Sequence, residues 1–586
     1  MIEAGNFVPL AQIAISLEVP DRFDAFRCAG TGRQKENQEQ RDRVASDHER
    51  NIGAPPAKCI AFRDTHLTGK PMMTGQSRGA VAAGHEATAG AAVEILREGG
   101  NAFDAVVAAH FAACVAEPVL ASLGGGGYLM ARPARGEPVV YDFFVHTPAR
   151  KRVLEETEFH PIQADFGTVR QEFHIGVGAA AVPGAVRGLF AIHGDLGSLP
   201  MSRLVAPARR LAREGLAINA LQAYLFRVIE PIYRYRPETA AKFSGVGGGL
   251  VGEGDTLCQP ELADTLEALA EEGDRLFYEG DIARRLAALC ENGGHVGMAD
   301  LAGYRVERRR PLSFRYRGAR LYTNPPPASG GLLMAFALQL LAAWNLSPAD
   351  FGTVKHLDLL ARVMAATNRA RLELMSRLPH DRLHSLLEEE YFERYRREIS
   401  GEPHASRGTT HISVLDATGN EAAMTVSNGE GCGYLIPGTG IMLNNMLGEE
   451  DLQPGGFHQW RENRRMTSMM SPTLVTLGDA RCMALGSGGS NRIRTALMQV
   501  ISNRVDFAMT PERAVEVPRI HCERGQLDIE PGYSAETLAQ LLGLYPDGNI
   551  WHERNLFFGG VHAVERDGGH FHGVGDPRRG GVSRLA

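Results

Sequence analysis

Arg407-Gly-Thr-Thr-His-Ile-Ser-Val-Leu-Asp-Ala-Thr-Gly-Asn-Glu-Ala-Ala-Met-Thr-Val-Ser427 is the stretch from which the fold is read. His411 to Asp416 alternates in character, Ala417-Thr-Gly-Asn420 has turn composition, and Glu421 to Ser427 alternates again. A period of two on both sides of a short turn predicts a β-hairpin. Thr473 to Leu477 and Arg481 to Leu485, with Gly478-Asp479 between them, predict a second one. A Thr-Thr pair at a strand start is by itself ordinary, because β-branched residues belong there.

Upstream of Gly408 the period changes to that of helices. Glu86 to Arg97 is helical in pattern and stopped by Gly99-Gly100, residues that tolerate a left-handed C-cap. Asn101 then opens a second helix with Asp104 three positions on, a variant of the capping-box spacing. This helix is Ala-rich and apolar on most faces to Val115, as expected of one buried between layers, and Pro118 ends it. Four glycines follow in Ser122-Leu-Gly-Gly-Gly-Gly-Tyr128. A phosphate loop would need Gly-Lys-Ser/Thr after them and a strand before; neither is present, so they read as backbone closely approached by another element. Met201 to Glu214, Pro260 to Glu272, Asp281 to Asn292, Leu332 to Trp344 and His356 to Met375 continue the helical pattern, and Pro325-Pro-Pro-Ala-Ser-Gly-Gly331 interrupts it as a rigid turn. Ser376 to Arg407 is polar and reads as exposed helix running into a mobile stretch just before Thr409. Helices first, strands later, and an Ala-rich helix to cover a sheet give a layered α/β sandwich.

Composition narrows the function classes. The chain has 586 residues, 44% apolar and 22% charged, with a net charge of −7, values that point to neither nucleic acid nor an anionic membrane as partner. The longest apolar run, Ala105 to Val115, is too short to span a bilayer and carries His110. No basic segment followed by an apolar core opens the chain, so a cytoplasmic location is expected. Eight scattered cysteines suit neither a zinc site nor a disulfide framework, and reduced thiols are expected. No metal or cofactor motif is found. Residues 1–70 look foreign to the rest: Arg33 to Asn51 is too charged to bury a core and is expected to be disordered, with Met72 or Met73 as an alternative start.

Further motifs surround the hairpin. In order they are Gly99-Gly-Asn-Ala-x-Asp104, Glu117-Pro118 with Gly124 to Gly127, Ala181-Val-Pro-Gly184, Phe277-Tyr-Glu-Gly280, Asn292-Gly-Gly294 with Asp300-Leu301, and Pro325-Pro-Pro-x-Ser-Gly-Gly331. Gly440-Ile-x-Leu-Asn-Asn445, Met470-Ser-Pro-Thr473, Gly486 to Gly489 and Gly575-Asp-Pro-Arg-Arg-Gly580 complete the series. With Thr409-Thr-His-x-Ser413, this collinear set over residues 75–586 resembles the gamma-glutamyltransferase family of N-terminal-nucleophile hydrolases. The resemblance implies a four-layer αββα sandwich with an added helical region. It also implies autocatalytic cleavage between Gly408 and Thr409 into a large subunit, 71–408, and a small catalytic one, 409–586. These would stay together as one intertwined domain acting on a small-molecule amide.

Residue roles carry over one at a time. Thr409 would be the nucleophile, its freed α-amine, with a pKa of about 8, serving as base for its own hydroxyl. Gly488 and Gly489 match the pair whose N–H groups hold the oxyanion, a donor typically worth about 3–4 kcal/mol. Ser427 stands where the family has a second Thr that bonds the amine. Thr410 and Ser468 are supporting hydroxyls. His411 is set aside as a base because neighbouring strand positions face opposite ways. Asn428 falls, across a two-residue gap, at a substrate-binding Asn, and Glu449 aligns with an Asp that contacts the substrate's α-amino group. Three positions depart from the pattern: Phe144 replaces the α-carboxylate-binding Arg, Met446 a Gln, and Met469 one of two serines. Arg464 or Arg465 is the expected substitute guanidinium. Chemistry on an amide is therefore expected to persist. The substrate reading stays divided between gamma-glutamyl compounds of the glutathione type and a bulkier acyl amide, as in the related cephalosporin acylases. A non-catalytic scaffold and a Cys432 enzyme are the alternatives of other classes.

Overall fold

The alternating segments pair into two antiparallel sheets. The computed structural model describes residues 77–165, 170–377, 387, 409–453, 456–478, 480–523 and 525–586. The expectations placed on 1–70, Met72 and Met73, 378–407 and Gly408 therefore lie outside the described residues. Among the described residues one sheet has seven strands in the order Val582–Leu585, Gly79–Ala83, Thr410–Asp416, Glu421–Ser427, Gly126–Arg132, Val139–Phe143, Glu307–Arg309. The other has six, in the order His570–Val574, Gly560–Asp567, Arg481–Gly488, Thr473–Leu477, Ala319–Thr323, Leu312–Tyr316. Each sheet thus draws strands from both sides of Thr409.

The sheets face each other, Thr410–Asp416 packing on Arg481–Gly488 and on Gly560–Asp567. Strand alternation then sorts the hairpin's side chains. Ile412, Val414, Met424 and Val426 turn outward to helices Glu86–Arg97 and Ala102–Ala116. Leu415 and Ala423 turn inward to the core that also holds Leu474 and Leu485. Helices Gly330–Leu341 and Arg492–Val505 cover the far side of the six-stranded sheet, which completes four layers, helix, sheet, sheet, helix. No helix of the described residues is long and apolar enough to cross a membrane.

Local signals produced the elements they predict. The Asn101 side chain caps Phe103 and Asp104, and the Asp104 carboxylate accepts the Asn101 N–H at 3.0 Å, a complete capping box. All 15 residues of that helix are buried. The glycine run touches backbone on every side: a Cβ on Gly124, Gly125, Gly126 or Gly127 would strike the carbonyl of Met442, Ser427, Phe143 or Thr425 respectively. It is a packing device, as the sequence predicts.

Candidate active site

Thr409 immediately precedes the central strand Thr410–Asp416, and the register Thr410↔Val426 sets it opposite Ser427 on the neighbouring strand. Both lie at the end of the sheet and line one partly open cavity. The other lining residues are Phe144, Met446, Glu449, Leu452, Ser468, Met469, Met470, Ser490 and Ile493. Seven of the positions singled out in the sequence therefore meet at one place: Thr409, Ser427, Phe144, Met446, Glu449, Ser468 and Met469.

Gly488 and Gly489 sit at the end of strand Arg481–Gly488, against Thr409 itself. A Cβ on Gly488 would collide with the Thr409 carbonyl oxygen, and Gly489 has φ +116°, which only glycine adopts without strain. The next residue, Ser490, also lies in the left-handed region at φ 46°. Its hydroxyl donates to Asp451 Oδ2 at 2.5 Å, and the Asn491 amide donates to Asp451 Oδ1 at 3.1 Å. One carboxylate thus fixes a strained turn beside Thr409, the kind of strain that persists where the surroundings over-determine it.

The polar corner of the cavity is built on Glu449. Burial, with Asp451 adding to it, pushes its carboxyl up to about 8. Glu449 Oε1 makes no hydrogen bond among the described residues, nor does the Asn445 Nδ2. Asn445 Oδ1 accepts the Glu430 N–H at 2.8 Å. Gly429, at φ +61°, has no side chain to separate Asn445 from Glu449. Asn428 is fully buried but lies beneath the glycine run, its amide 3.1 Å from where a Cβ on Gly125 would be, and it is not among the residues lining the cavity.

Other predicted residues fall elsewhere. Thr410 faces the helical layer, its hydroxyl donating to Glu117 Oε2 at 2.8 Å. Ser468 stays at the cavity, where its hydroxyl oxygen accepts the Met470 N–H at 3.1 Å. The Arg464 side chain is exposed. Arg465 is not in the lining; its guanidinium is bonded to the Phe144 carbonyl, to the Tyr304 hydroxyl at 2.7 Å and to the Arg305 carbonyl at 2.6 Å, with Asp142 at 3.4 Å. The expected substitute guanidinium is thus spent on holding Phe144 in place.

His411 needs its argument corrected. Positions 409 and 411 share a face of the strand, so alternation separates His411 from Thr410 and not from Thr409. Its ring is instead occupied: Nδ1 bonds Thr425 Oγ1 at 2.8 Å and Nε2 bonds Ser413 Oγ at 2.9 Å. Full burial drives its pKa well below 6.5, which makes it a neutral tie between two neighbouring strands of the seven-stranded sheet. Cys432 is a buried thiol, its pKa raised by desolvation.

Sequence reasoning assigned no role to Arg579 or Asn445, though both lie in quoted motifs. Arg579 Nη1 donates to the Thr409 carbonyl at 3.2 Å. Met470 opens a quoted motif but has no assigned role, and Leu452, Ser490 and Ile493 carry no signal that single-sequence reading could use.

The family profile of gamma-glutamyltranspeptidase matches residues 88–586. The glutathione hydrolase proenzyme of Escherichia coli (strain K12) is 30% identical over 83% of this chain and 88% of its own length. The acylase ACY 1 proenzyme of Pseudomonas sp. (strain SE83) is 32% identical over 80% of this chain and 86% of its own. In fold, the cephalosporin acylase of Bacillus halodurans superposes with a TM-score of 0.76 at 24% identity, over 91% of this chain and 99% of that one. The four layers are those of the N-terminal-nucleophile hydrolase sandwich, and with a profile match over most of its length this chain belongs to the gamma-glutamyltranspeptidase family of enzymes.

Proposed function

We propose that this chain is an N-terminal threonine amide hydrolase and acyltransferase that cleaves itself before Thr409 and accepts a bulky, largely apolar acyl group. In the precursor the Thr409 hydroxyl attacks the Gly408 carbonyl, the acyl group shifts from nitrogen to oxygen, and water opens the ester. The freed α-amine then takes the Thr409 hydroxyl proton as Oγ attacks the substrate amide. The N–H groups of Gly488 and Gly489 hold the oxyanion, the amine returns the proton to the departing nitrogen, and water or a second amine releases the acyl group. The fragments 71–408 and 409–586 stay together because both sheets contain strands of each.

The observation that carries the acyl preference is Arg465. With its guanidinium bound to Tyr304, Asp142 and backbone, the described residues lining the cavity offer no cation to a carboxylate. Phe144, Met446, Leu452, Met469, Met470 and Ile493 supply a flexible apolar wall instead. The acylase relative at 32% identity is consistent with this reading. A second reading, gamma-glutamyl donors, is favoured by the corner at Glu449, whose unused Oε1 can accept a hydrogen bond from an α-amino group.

The test has two stages. Intact mass of the purified protein should give two fragments, the smaller beginning at Thr409, and Thr409→Ala should remain one chain. Hydrolysis of phenylacetyl, glutaryl and gamma-glutamyl p-nitroanilides should then favour the phenylacetyl compound by at least about tenfold in kcat/KM, given what a missing buried ion pair costs. A preference for the gamma-glutamyl compound would establish the second reading.

A further inference from the structure

We propose that Arg579 is a positioning residue for the nucleophile: it clamps the Thr409 carbonyl against the Gly488–Gly489 turn, and its fixed positive charge keeps the freed Thr409 amine unprotonated near neutral pH. This rests on the reading of Thr409 as nucleophile.

The site of Arg579 is built for it. The short turn Pro577–Arg579 is capped by Asp576, whose carboxylate is held by Arg519 at 2.7 Å and by Arg578 at 3.2 Å. Arg578 is further paired with Glu530 at 2.5 Å, so the turn cannot drift. Three glycines then clear the path of Arg579. A Cβ on Gly560 would collide with its stem, one on Gly488 would lie 2.9 Å from Nη1, and one on Gly489 would lie 3.3 Å from Nη2. Nη1 reaches the Thr409 carbonyl, while Nε and Nη2 make no hydrogen bond among the described residues. A guanidinium brought in by three glycines and joined to the backbone of the nucleophile connects the two halves of the machinery.

Electrostatics supply the second half of the role. Burial pulls Arg579 down to about 10, which still leaves a cation at pH 7. The charged and titratable groups facing it are Glu117 at the end of helix Ala102–Ala116, Glu430 after strand Glu421–Ser427, Asp576 in its own turn, Arg492 of helix Arg492–Val505, and His562 and Arg519 beyond. Asp576 is balanced by Arg519 and Arg578, and His562 is held neutral, at about 4, by burial. Glu117 is engaged by the hydroxyls of Thr88 and Thr410, both at 2.8 Å. Backbone geometry places the Thr409 nitrogen on the order of 5 Å from the guanidinium. A like charge there disfavours the ammonium form, and an amine must be neutral to accept the hydroxyl proton.

Acetylation of Thr409 by p-nitrophenyl acetate, followed by intact mass from pH 5 to 9, reads the amine without depending on acyl preference. The acetyl group passes to Oγ, the hydroxyl proton to the amine, and p-nitrophenolate leaves. In Arg579→Met the acid limb of this profile should move to higher pH by about one unit, because Glu117 and Glu430 remain and favour the ammonium. Arg579→Lys keeps the charge and should hold the limb near its original position. Glu430→Gln should move the limb the other way, and decides the matter alone if Arg579→Met remains uncut. A limb that stays put in both Arg579→Met and Glu430→Gln, or in Glu430→Gln when Arg579→Met is uncut, overturns the proposal while leaving the Thr409 reading intact. If Thr409→Ala is still cleaved and acetylated at residue 409, the Thr409 reading itself fails.

Discussion

Replacing Gly488 by Ala tests the close contact between Thr409 and the adjacent turn. The new Cβ would lie 2.9 Å from Arg579 Nη1 and well inside contact distance of the Thr409 carbonyl oxygen. Neither neighbour gives way easily: Thr409 opens a central strand paired on both sides, and Gly488 is in register with Gly560. To reach the 3.0 Å that real Cβ contacts respect, Thr409 must move by about 0.9 Å, and a displacement of about 1 Å typically costs about 10²-fold in rate. The overpacking itself should cost about 1–3 kcal/mol of stability. Self-cleavage timed by intact mass, together with acetylation by p-nitrophenyl acetate, gives the rates, and urea unfolding gives the stability. Gly488→Ala protein that cuts and acetylates within threefold of wild type, with unchanged stability, would refute the close approach.

Two pH effects of opposite sign follow. Glu449, about 4.5 in the unfolded chain and about 8 here, contributes stability that is complete below 4.5 and is lost as pH rises to 8, at about 1.4 kcal/mol per unit. In a Thr409→Ala background, Glu449→Gln should therefore gain on its parent between pH 5 and pH 9 by roughly 3–5 kcal/mol in urea unfolding; a difference independent of pH would mean Glu449 is not buried as described. His110, His356 and His562 are pushed from 6.5 to about 4, and His411 well below 6.5, all by burial. Each contributes stability that is complete above 6.5 and lost as pH falls. Four such slopes exceed the opposing ones from Glu449 and its neighbour Glu450, also raised by burial, so the urea midpoint should drop from pH 7 to pH 5, and a level midpoint would contradict the burial of the histidines.

The parts of the fold that follow from local rules were legible in the sequence. Asn101 and Asp104 make the capping box their spacing predicts, and the strand Glu421–Ser427 has the expected ends. The long-range pairing was not legible. That strand Gly79–Ala83 lies between Thr410–Asp416 and the chain's last strand depends on contacts across about 500 residues, for which periodicity holds no information. The site divides similarly. Thr409, Ser427 and Glu449 could be placed through motif positions. The fate of Arg465 could not, because a guanidinium near a site in sequence is free or occupied according to what packs around it, here Tyr304 and Asp142. His411 shows the same limit from the other side, since only its two ring partners separate it from the residue it shares a face with.

With the proposed cleavage before Thr409, the order of strands in the two sheets would also make assembly a one-way event. Neither the part before Thr409 nor the part after it can finish either sheet alone, so the precursor must fold as a single chain, with its strands at high local concentration. If the bond before Thr409 is cut as proposed, that tether is gone while every pairing remains. The mature protein would be held by the slowness of its own unfolding, and after denaturation and dilution its two pieces would have to find each other by collision. Heat or urea that the precursor survives reversibly should inactivate the cut form for good, more completely the lower its concentration.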